Sequence, residues 1–181
     1  MLDKNEFLEF SDTDQYKEVY ARFGLCIFHF QVLEHQLLNM ILIINKQMNI
    51  KMSDEEYNQI FYSYSDNTMG KLIEKVSTLF RFDEKIRAKL WDIHQKRNFY
   101  AHHYFKDRST KWYTIEGRFE MIQEIDLVDM KTKELEENLV ILAEPLVKSL
   151  GLTDEIIEKE FKKLKEGKLI SDNLTFEKRD S

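Results

Sequence analysis

The chain has 181 residues, of which 43% are hydrophobic, and this is enough for one domain with a sizeable core. One proline and five glycines exclude a turn-rich all-β fold and favour long helices. The single cysteine excludes an intramolecular disulfide and a multi-cysteine metal site, so a cytoplasmic location is expected, and the net charge of −6 argues against bulk non-specific DNA binding.

The first predicted helix is long and covers residues 14–48. Glu34 lies in the middle of its apolar face, where a carboxylate either reaches solvent or pairs with a buried cation. Residues 25–44 are apolar on other sides too, but six polar residues interrupt them, so they predict a central bundle helix or a subunit contact rather than a membrane span. The apolar face repeats at steps of three and four residues and consists of Tyr16, Tyr20, Phe23, Ile27, Phe30, Leu37 and Ile41.

Three further helices are predicted before residue 106. The first begins at Ser53, forms a capping box with Glu56 and runs towards Ile60. A polar loop over residues 63–67 precedes the second helix, which Thr68 caps and which continues to about residue 79. The third begins at residue 83 or 84 and ends near residue 105, and its buried face consists of Ile86, Leu90, Ile93, Tyr100 and Tyr104.

The C-terminal third begins with a less regular pattern. Residues 111–115 are predicted to form a short extended piece that ends at Gly117, and residues 118–126 stay unassigned. A long amphipathic helix follows over residues 131–150. We expect Pro145 to kink or interrupt it, because proline removes a backbone hydrogen bond from a helix interior.

These elements together predict an all-α fold, a bundle of four to five main helices with a C-terminal helical extension. A last amphipathic helix is expected over residues 153–165, capped by Thr153 and followed by a glycine. The predicted organisation is a helical core over residues 1–130, packed C-terminal helices over residues 131–170, and a polar tail over residues 171–181.

Positive charge is concentrated in one part of this acidic chain. Residues 85–111 contain eight Lys/Arg and two Asp, so they carry +6 and the rest of the chain carries −12. Arg97 lies in the centre of the apolar face of the predicted fourth helix, where it must meet a carboxylate, a phosphate or water. We predict that Arg97 and Glu34 approach each other or share one polar pocket.

The same region combines side chains suited to RNA cleavage. His102 has a side chain that can act as a general acid or base near neutral pH, and Arg97 can hold a phosphate by paired hydrogen bonds. Asn98 can orient either group, while Phe105 and Lys106 can stack on a base or contact the backbone. Such a set would let a base activate a ribose 2′-hydroxyl without a metal, and we expect no metal and no cofactor.

Geometry favours a site that two chains share. His102 lies five positions after Arg97. On a regular helix the two side chains then point about 140° apart around the axis, with a rise of roughly 7.5 Å between them. The two side chains therefore flank a groove and do not both face one phosphate. A second copy of the helix, related by two-fold symmetry, would supply the missing side, so a homodimer is expected.

The sequence Arg97-Asn98-Phe99-Tyr100-Ala101-His102 resembles the R-x4-H motif of the HEPN superfamily, and Tyr104 extends the likeness to R-x4-H-x-Y. The resemblance implies a dimeric helical bundle whose motif helices line a basic cleft. It implies that Arg97 binds phosphate, that His102 is the acid/base group and that Asn98 orients them. It also implies that a nucleotidyltransferase-type antitoxin attaches AMP at Tyr104.

Two functions remain open at this point. The first is a HEPN-like metal-independent endoribonuclease of toxin–antitoxin or phage-defence type, which acts on RNA. The second is a non-catalytic HEPN-like helical dimer that binds a nucleotide, RNA or a protein partner. In the second case Arg97 is a structural residue paired with Glu34, and His102 caps the C-terminal end of its helix.

Overall fold

A computed structural model describes residues 2–49, 52–151 and 154–166, and within these residues the regular structure is entirely helical. The predicted all-α class is confirmed. The predicted tail 171–181 and the capping residue Thr153 lie outside the described residues, and the predicted domain boundaries stay predictions. The helices are α1 Lys4–Leu8, α2 Asp12–Met48, α3 Asp54–Ser65, α4 Met69–Phe80, α5 Glu84–His102, α6 Tyr104–Asp107, α7 Ser109–Trp112, α8 Ile115–Ser149 and α9 Asp154–Lys165.

The chain divides into two compact units, Met1–Ala143 and Glu144–Ser181. The core described below and the candidate site both lie in the first unit. In that unit α2 packs against α3, α4 and α5, and side-chain hydrogen bonds join it to α8. By length and composition α2 would also suit a membrane span, but here its buried side chains belong to this core.

The buried face of α2 differs from the predicted one in its first half. Val19 and Cys26 are fully buried, whereas the predicted core residue Tyr20 is 56% exposed. The physical reason is tertiary: Arg22 of α2 binds Asp126 of α8 and Phe30 packs on Tyr100 of α5, and such long-range contacts, which the sequence pattern does not show, select the side of α2 that is buried. Tyr20 instead packs at the edge of the core, with ring centroids 5.8 Å from Phe105 and 5.1 Å from Trp112.

Helices α3 and α4 begin where the sequence predicts and are close together in the chain. The capping box between Ser53 and Glu56 is present. Helix α3 continues to Ser65, so the loop predicted over residues 63–67 begins only at residue 66, and three residues connect α3 to α4. This short connection places the first turn of α4 beside α5, and Gly70 would meet the His94 ring at 3.4 Å if it carried a Cβ.

The motif helix α5 is attached to α8 by two tyrosines. Tyr100 donates a hydrogen bond to the Glu124 carbonyl at 3.2 Å, and Tyr104 donates one to the Met121 carbonyl at 3.1 Å. Their rings stack on each other with centroids 4.5 Å apart. Helix α5 ends at His102, before the predicted end near residue 105, because the backbone changes direction at His103 to bring Tyr104 into the core.

The predicted extended piece over residues 111–115 is wrong. Helix α7 ends at Trp112, and α8 begins at Ile115 and runs through Pro145 without the predicted interruption, so it includes the unassigned residues 118–126. The cause is tertiary: the side chain of Arg118 is only 2% exposed and ties the start of α8 to its neighbours. Its guanidinium donates hydrogen bonds to Gln15, Asp12, Tyr16 and the Trp112 carbonyl.

Two glycines give a matched test of this packing. A Cβ on Gly117 would overlap the Lys111 carbonyl and lie 2.6 Å from both Lys111 Cα and Thr114 Oγ1. We expect Gly117→Ala to lower the free energy of unfolding by about 3 kcal/mol, because the α7 backbone must move.

Gly24 is the matched control. It lies inside α2 with nothing within 4 Å of a Cβ, so Gly24→Ala should raise the free energy of unfolding by roughly 0.5–1 kcal/mol. Urea unfolding of both variants checks this, and equal effects of the two changes would contradict it.

Candidate functional site

The two motif residues Arg97 and His102 line one cavity of about 470 Å³ in the first unit. Its walls come from α2, from the α3–α4 connection with the start of α4, and from the second half of α5. The lining residues are Glu34, Asn67, Thr68, Met69, His94, Arg97, Asn98 and His102.

Arg97 and Glu34 form an ion pair, with Arg97 Nε 3.1 Å from Glu34 Oε1. Their predicted approach is therefore confirmed. The N–H is not directed at the oxygen, so Glu34 Oε1 is buried without a hydrogen-bond partner although a charge lies beside it. The side chains are 34% and 23% exposed, and the pair therefore lies at the cavity wall and not in the core.

Asn98 and His94 hold the other side of the Arg97 guanidinium. Arg97 Nη1 donates a hydrogen bond to Asn98 Oδ1 at 3.2 Å, and Asn98 Nδ2 lies 3.2 Å from His94 Nε2. Burial lowers the pKa of His94 below its ordinary value, and the Arg97 charge lowers it further, although Glu34 opposes this. His94 is then neutral at pH 7, and its Nε2 accepts the hydrogen bond from Asn98.

His94 is not among the residues that the motif predicts for the site, and the structure adds it to the cavity wall. The available signal is its spacing. His94 lies three residues before Arg97 and four before Asn98, which on a helix puts all three on neighbouring positions of one face. The R-x4-H motif begins at Arg97 and so does not include the residue one turn earlier.

His102 is the last residue of α5, is exposed, and lines the same cavity. Within the part of the chain that the structure describes, its ring makes no hydrogen bond and no ion pair. The centroid of the His103 ring lies 6.2 Å from that of His102. An imidazole that is exposed and unengaged can exchange protons with a bound molecule.

The first turn of α4 adds hydrogen-bond donors to the same cavity. The side chain of Thr68, the N-cap residue, makes no capping hydrogen bond. The backbone N–H groups of the turn that follows have no intrahelical partner, as at any helix start. Together with the Arg97 guanidinium they give the cavity the donors that an anion requires.

Three residues predicted to belong to the site lie elsewhere. Phe105 packs into the aromatic cluster, 4.7 Å from Phe23 between centroids, and Lys106 is exposed on α6. Neither lines the cavity. Tyr104 is 1% exposed, and burial, with the neighbouring Tyr100, raises the pKa of its hydroxyl. A modifying enzyme would reach this hydroxyl only after the ring had left the core.

The local positive charge is largely neutralised within the chain. Five of the eight basic side chains in residues 85–111 form ion pairs, so a single copy presents a weaker positive field than the sequence alone indicates. An anion that binds Arg97 must compete with Glu34. The pairs are Lys89–Glu134, Lys96–Asp92, Arg97–Glu34, Arg108–Glu124 and Lys111–Glu124.

Comparisons with protein-family models, with curated proteins and with solved structures found no match. Among the described residues, no group of three or more His, Cys, Asp or Glu side chains is arranged to hold a metal ion. The likeness to the HEPN superfamily therefore depends on the motif residues, and it stays a prediction.

The contact between His94 and Arg97 can be tested by NMR titration of the His94 ring. We expect a pKa below the ordinary value of about 6.5 in the parent protein. Arg97→Gln should raise this pKa because it removes a nearby positive charge, and Glu34→Gln should lower it because it removes a negative one. His94→Gln assigns the resonance. A His94 pKa that neither change moves would show that the three groups do not share the cavity in solution.

Proposed function

We propose that this protein is a HEPN-like, metal-independent endoribonuclease that acts as a homodimer. The observation that carries the proposal is that Arg97 and His102, an arginine and an unengaged histidine, line one open cavity. The first turn of α4, whose N-cap residue Thr68 makes no capping hydrogen bond with its side chain, also borders the cavity. Single-stranded RNA supplies what these groups can use: a phosphodiester for the cationic side and a neighbouring 2′-hydroxyl for the imidazole.

In the proposed reaction the scissile phosphate binds against the Arg97 guanidinium and the α4 N–H groups. His102 accepts the proton of the 2′-hydroxyl, whose oxygen attacks the phosphorus atom. The bond to the 5′-oxygen of the next nucleotide breaks, which leaves a 2′,3′-cyclic phosphate. Arg97 stabilises the negative charge that grows on the phosphate oxygens. A proton for the leaving oxygen comes from His102 of the second copy or from water.

Asn98 and His94 position Arg97 for this role. The guanidinium has Glu34 on one side and the Asn98 amide on the other, and neutral His94 holds that amide. Arg97 thus keeps a defined orientation and retains further N–H groups for a phosphate. In the free protein Glu34 neutralises the positive charge of Arg97. When a phosphate replaces Glu34 at Arg97, the Glu34 carboxylate becomes available for other contacts.

The proposed dimer completes a site that one copy leaves incomplete. One copy brings a single guanidinium to the cavity, and that group is paired with Glu34. A second copy adds another Arg97 and His102, as the R-x4-H resemblance implies. Helix α2 also exposes apolar side chains that a second copy would cover, with Leu25 43% and Phe28 55% exposed.

The biological setting that fits this activity is a toxin–antitoxin or phage-defence system in the cytoplasm, in which uncontrolled cleavage of RNA is held in check by a partner. A nucleotidyltransferase-type antitoxin that acts on Tyr104 is part of this proposal. The burial of the Tyr104 hydroxyl adds one requirement, namely that the segment around α6 opens before modification.

Cleavage of single-stranded RNA in the presence of EDTA tests the proposal. We expect products that end in 2′,3′-cyclic phosphate, identified by mass spectrometry. Arg97→Ala and His102→Ala should each lower the rate by at least about 100-fold, because each removes one side of the reacting phosphate. His103→Ala is the matched control, since His103 is equally exposed but does not line the cavity. Equal rates in all three variants would overturn the assignment.

Loss of activity in Arg97→Ala can be separated from unfolding. The pair with Glu34 is partly exposed and has no directed hydrogen bond, so its removal should lower the free energy of unfolding by only about 1 kcal/mol. Thermal unfolding followed by circular dichroism measures this. A much larger loss would mean that Arg97 is mainly a structural residue.

The second candidate is a non-catalytic helical dimer that binds a nucleotide, RNA or a protein partner at the same cavity. The observation in its favour is that Glu34 already neutralises Arg97 in the free chain. This alternative predicts saturable binding of RNA with no cleavage product in the assay above. Dependence of that binding on salt would report the phosphate contacts.

A further inference from the structure

A second cavity adjoins the proposed phosphate site and has different chemistry. It has a volume of about 380 Å³, and it shares Glu34 and Asn67 with the first cavity, so the two meet at these residues. Its walls come from α2, the end of α3 and α4. Its lining includes one amide side chain, two aromatic rings and one aliphatic side chain, which are Gln31, Phe61, Tyr64 and Leu72.

This second cavity offers an aromatic and apolar wall beside amide groups. Phe61 and Tyr64 are half-buried, so part of each ring remains open. A planar base gains from stacking on such a ring, whichever base it is. Gln31 and Asn67 carry amide groups at the edge of the same space, and Asn67 uses its Nδ2 to donate to the Ser63 carbonyl, which leaves its Oδ1 as an acceptor.

Glu34 adds a preference among the bases. Its Oε1 is buried at the junction of the two cavities and accepts no hydrogen bond. When a phosphate takes the place of Glu34 at Arg97, this carboxylate oxygen can accept a hydrogen bond from a donor on the bound nucleotide. Adenine, cytosine and guanine each carry an exocyclic amino group with two N–H donors, whereas uracil has no amino group and offers a single donor, N3–H, flanked by two carbonyl oxygens that a carboxylate repels.

We propose that the cavity formed by Gln31, Phe61, Tyr64 and Leu72 binds the base of a nucleotide that adjoins the phosphate on Arg97, and that it selects bases with an amino group over uracil. The proposal depends on the proposed ribonuclease function for the identity of the ligand. It assigns to α3, which lies outside the R-x4-H motif, the role of choosing where the RNA is cut.

The test uses pentamers of deoxythymidine that contain one ribonucleotide, so that each has a single cleavable linkage. In one series the base of the ribonucleotide is varied among A, C, G and U. In a second series the ribonucleotide is uridine and the base that follows it is varied among A, C, G and T. Binding is measured by fluorescence anisotropy on the same pentamers in all-deoxy form, and cleavage is measured in EDTA.

We expect the amino-bearing bases to bind about tenfold more tightly than uracil or thymine in at least one series. Tyr64→Ala should weaken binding of every pentamer about tenfold, because it removes an aromatic ring on which a base can stack. Glu34→Gln should reduce the preference, because an amide can donate to a carbonyl as well as accept from an amino group. Tyr113→Ala is the matched control, since Tyr113 is 78% exposed and lines neither cavity.

The outcomes separate this proposal from the proposed function. If Tyr64→Ala fails to fold, Gln31→Ala replaces it, because Gln31 is exposed and its loss removes no core contact. Cleavage that Arg97→Ala abolishes, with no base preference in either series and no effect of Tyr64→Ala or Gln31→Ala, would overturn the base site and leave the ribonuclease intact. A base preference that depends on Tyr64 and Glu34, without cleavage of any pentamer, would support the base site and overturn the ribonuclease.

Discussion

A guanidinium on the core-facing side of a helix has to meet a negative charge, and in this protein that requirement joins α2 to α5. Arg97 and Glu34 occupy the apolar faces of their helices and meet at 3.1 Å. Both side chains stay partly exposed, and they lie at the wall of the cavity that contains the motif. A charged pair in this position keeps contact with solvent, which lowers the cost of placing two charges on largely apolar faces.

The rest of the first unit holds this arrangement in position. Tyr100 and Tyr104 connect the end of α5 to backbone carbonyls of α8, and their stacked rings fill the space beside Phe23. At the other end of α2, buried Arg118 joins α2, α7 and α8. Arg97, Asn98 and His102 line the cavity from the part of α5 that these aromatic contacts and hydrogen bonds attach to α8.

The cavity combines groups that differ in how firmly they are held. Arg97, Asn98 and His94 form a connected series of polar contacts, whereas His102 is exposed at the end of α5 and lines the same cavity. In the proposed ribonuclease the first group binds the phosphate and His102 exchanges a proton. The adjoining cavity near Tyr64, which shares Glu34 with the first cavity, is the proposed base site.

The sequence by itself determined the all-α class, the positions at which α3, α4 and α5 begin, and the approach of Arg97 to Glu34. These follow from local rules, since helical periodicity and capping residues act within a few residues of each other, and two unpaired charges on apolar faces have few alternatives. Only the tertiary structure decided that residues 111–115 are not extended and that Phe105 packs against Phe23 and does not line the cavity. Both depend on contacts between residues far apart in the chain, such as Arg118 with Gln15 and Phe105 with Phe23, and a local pattern carries no record of them.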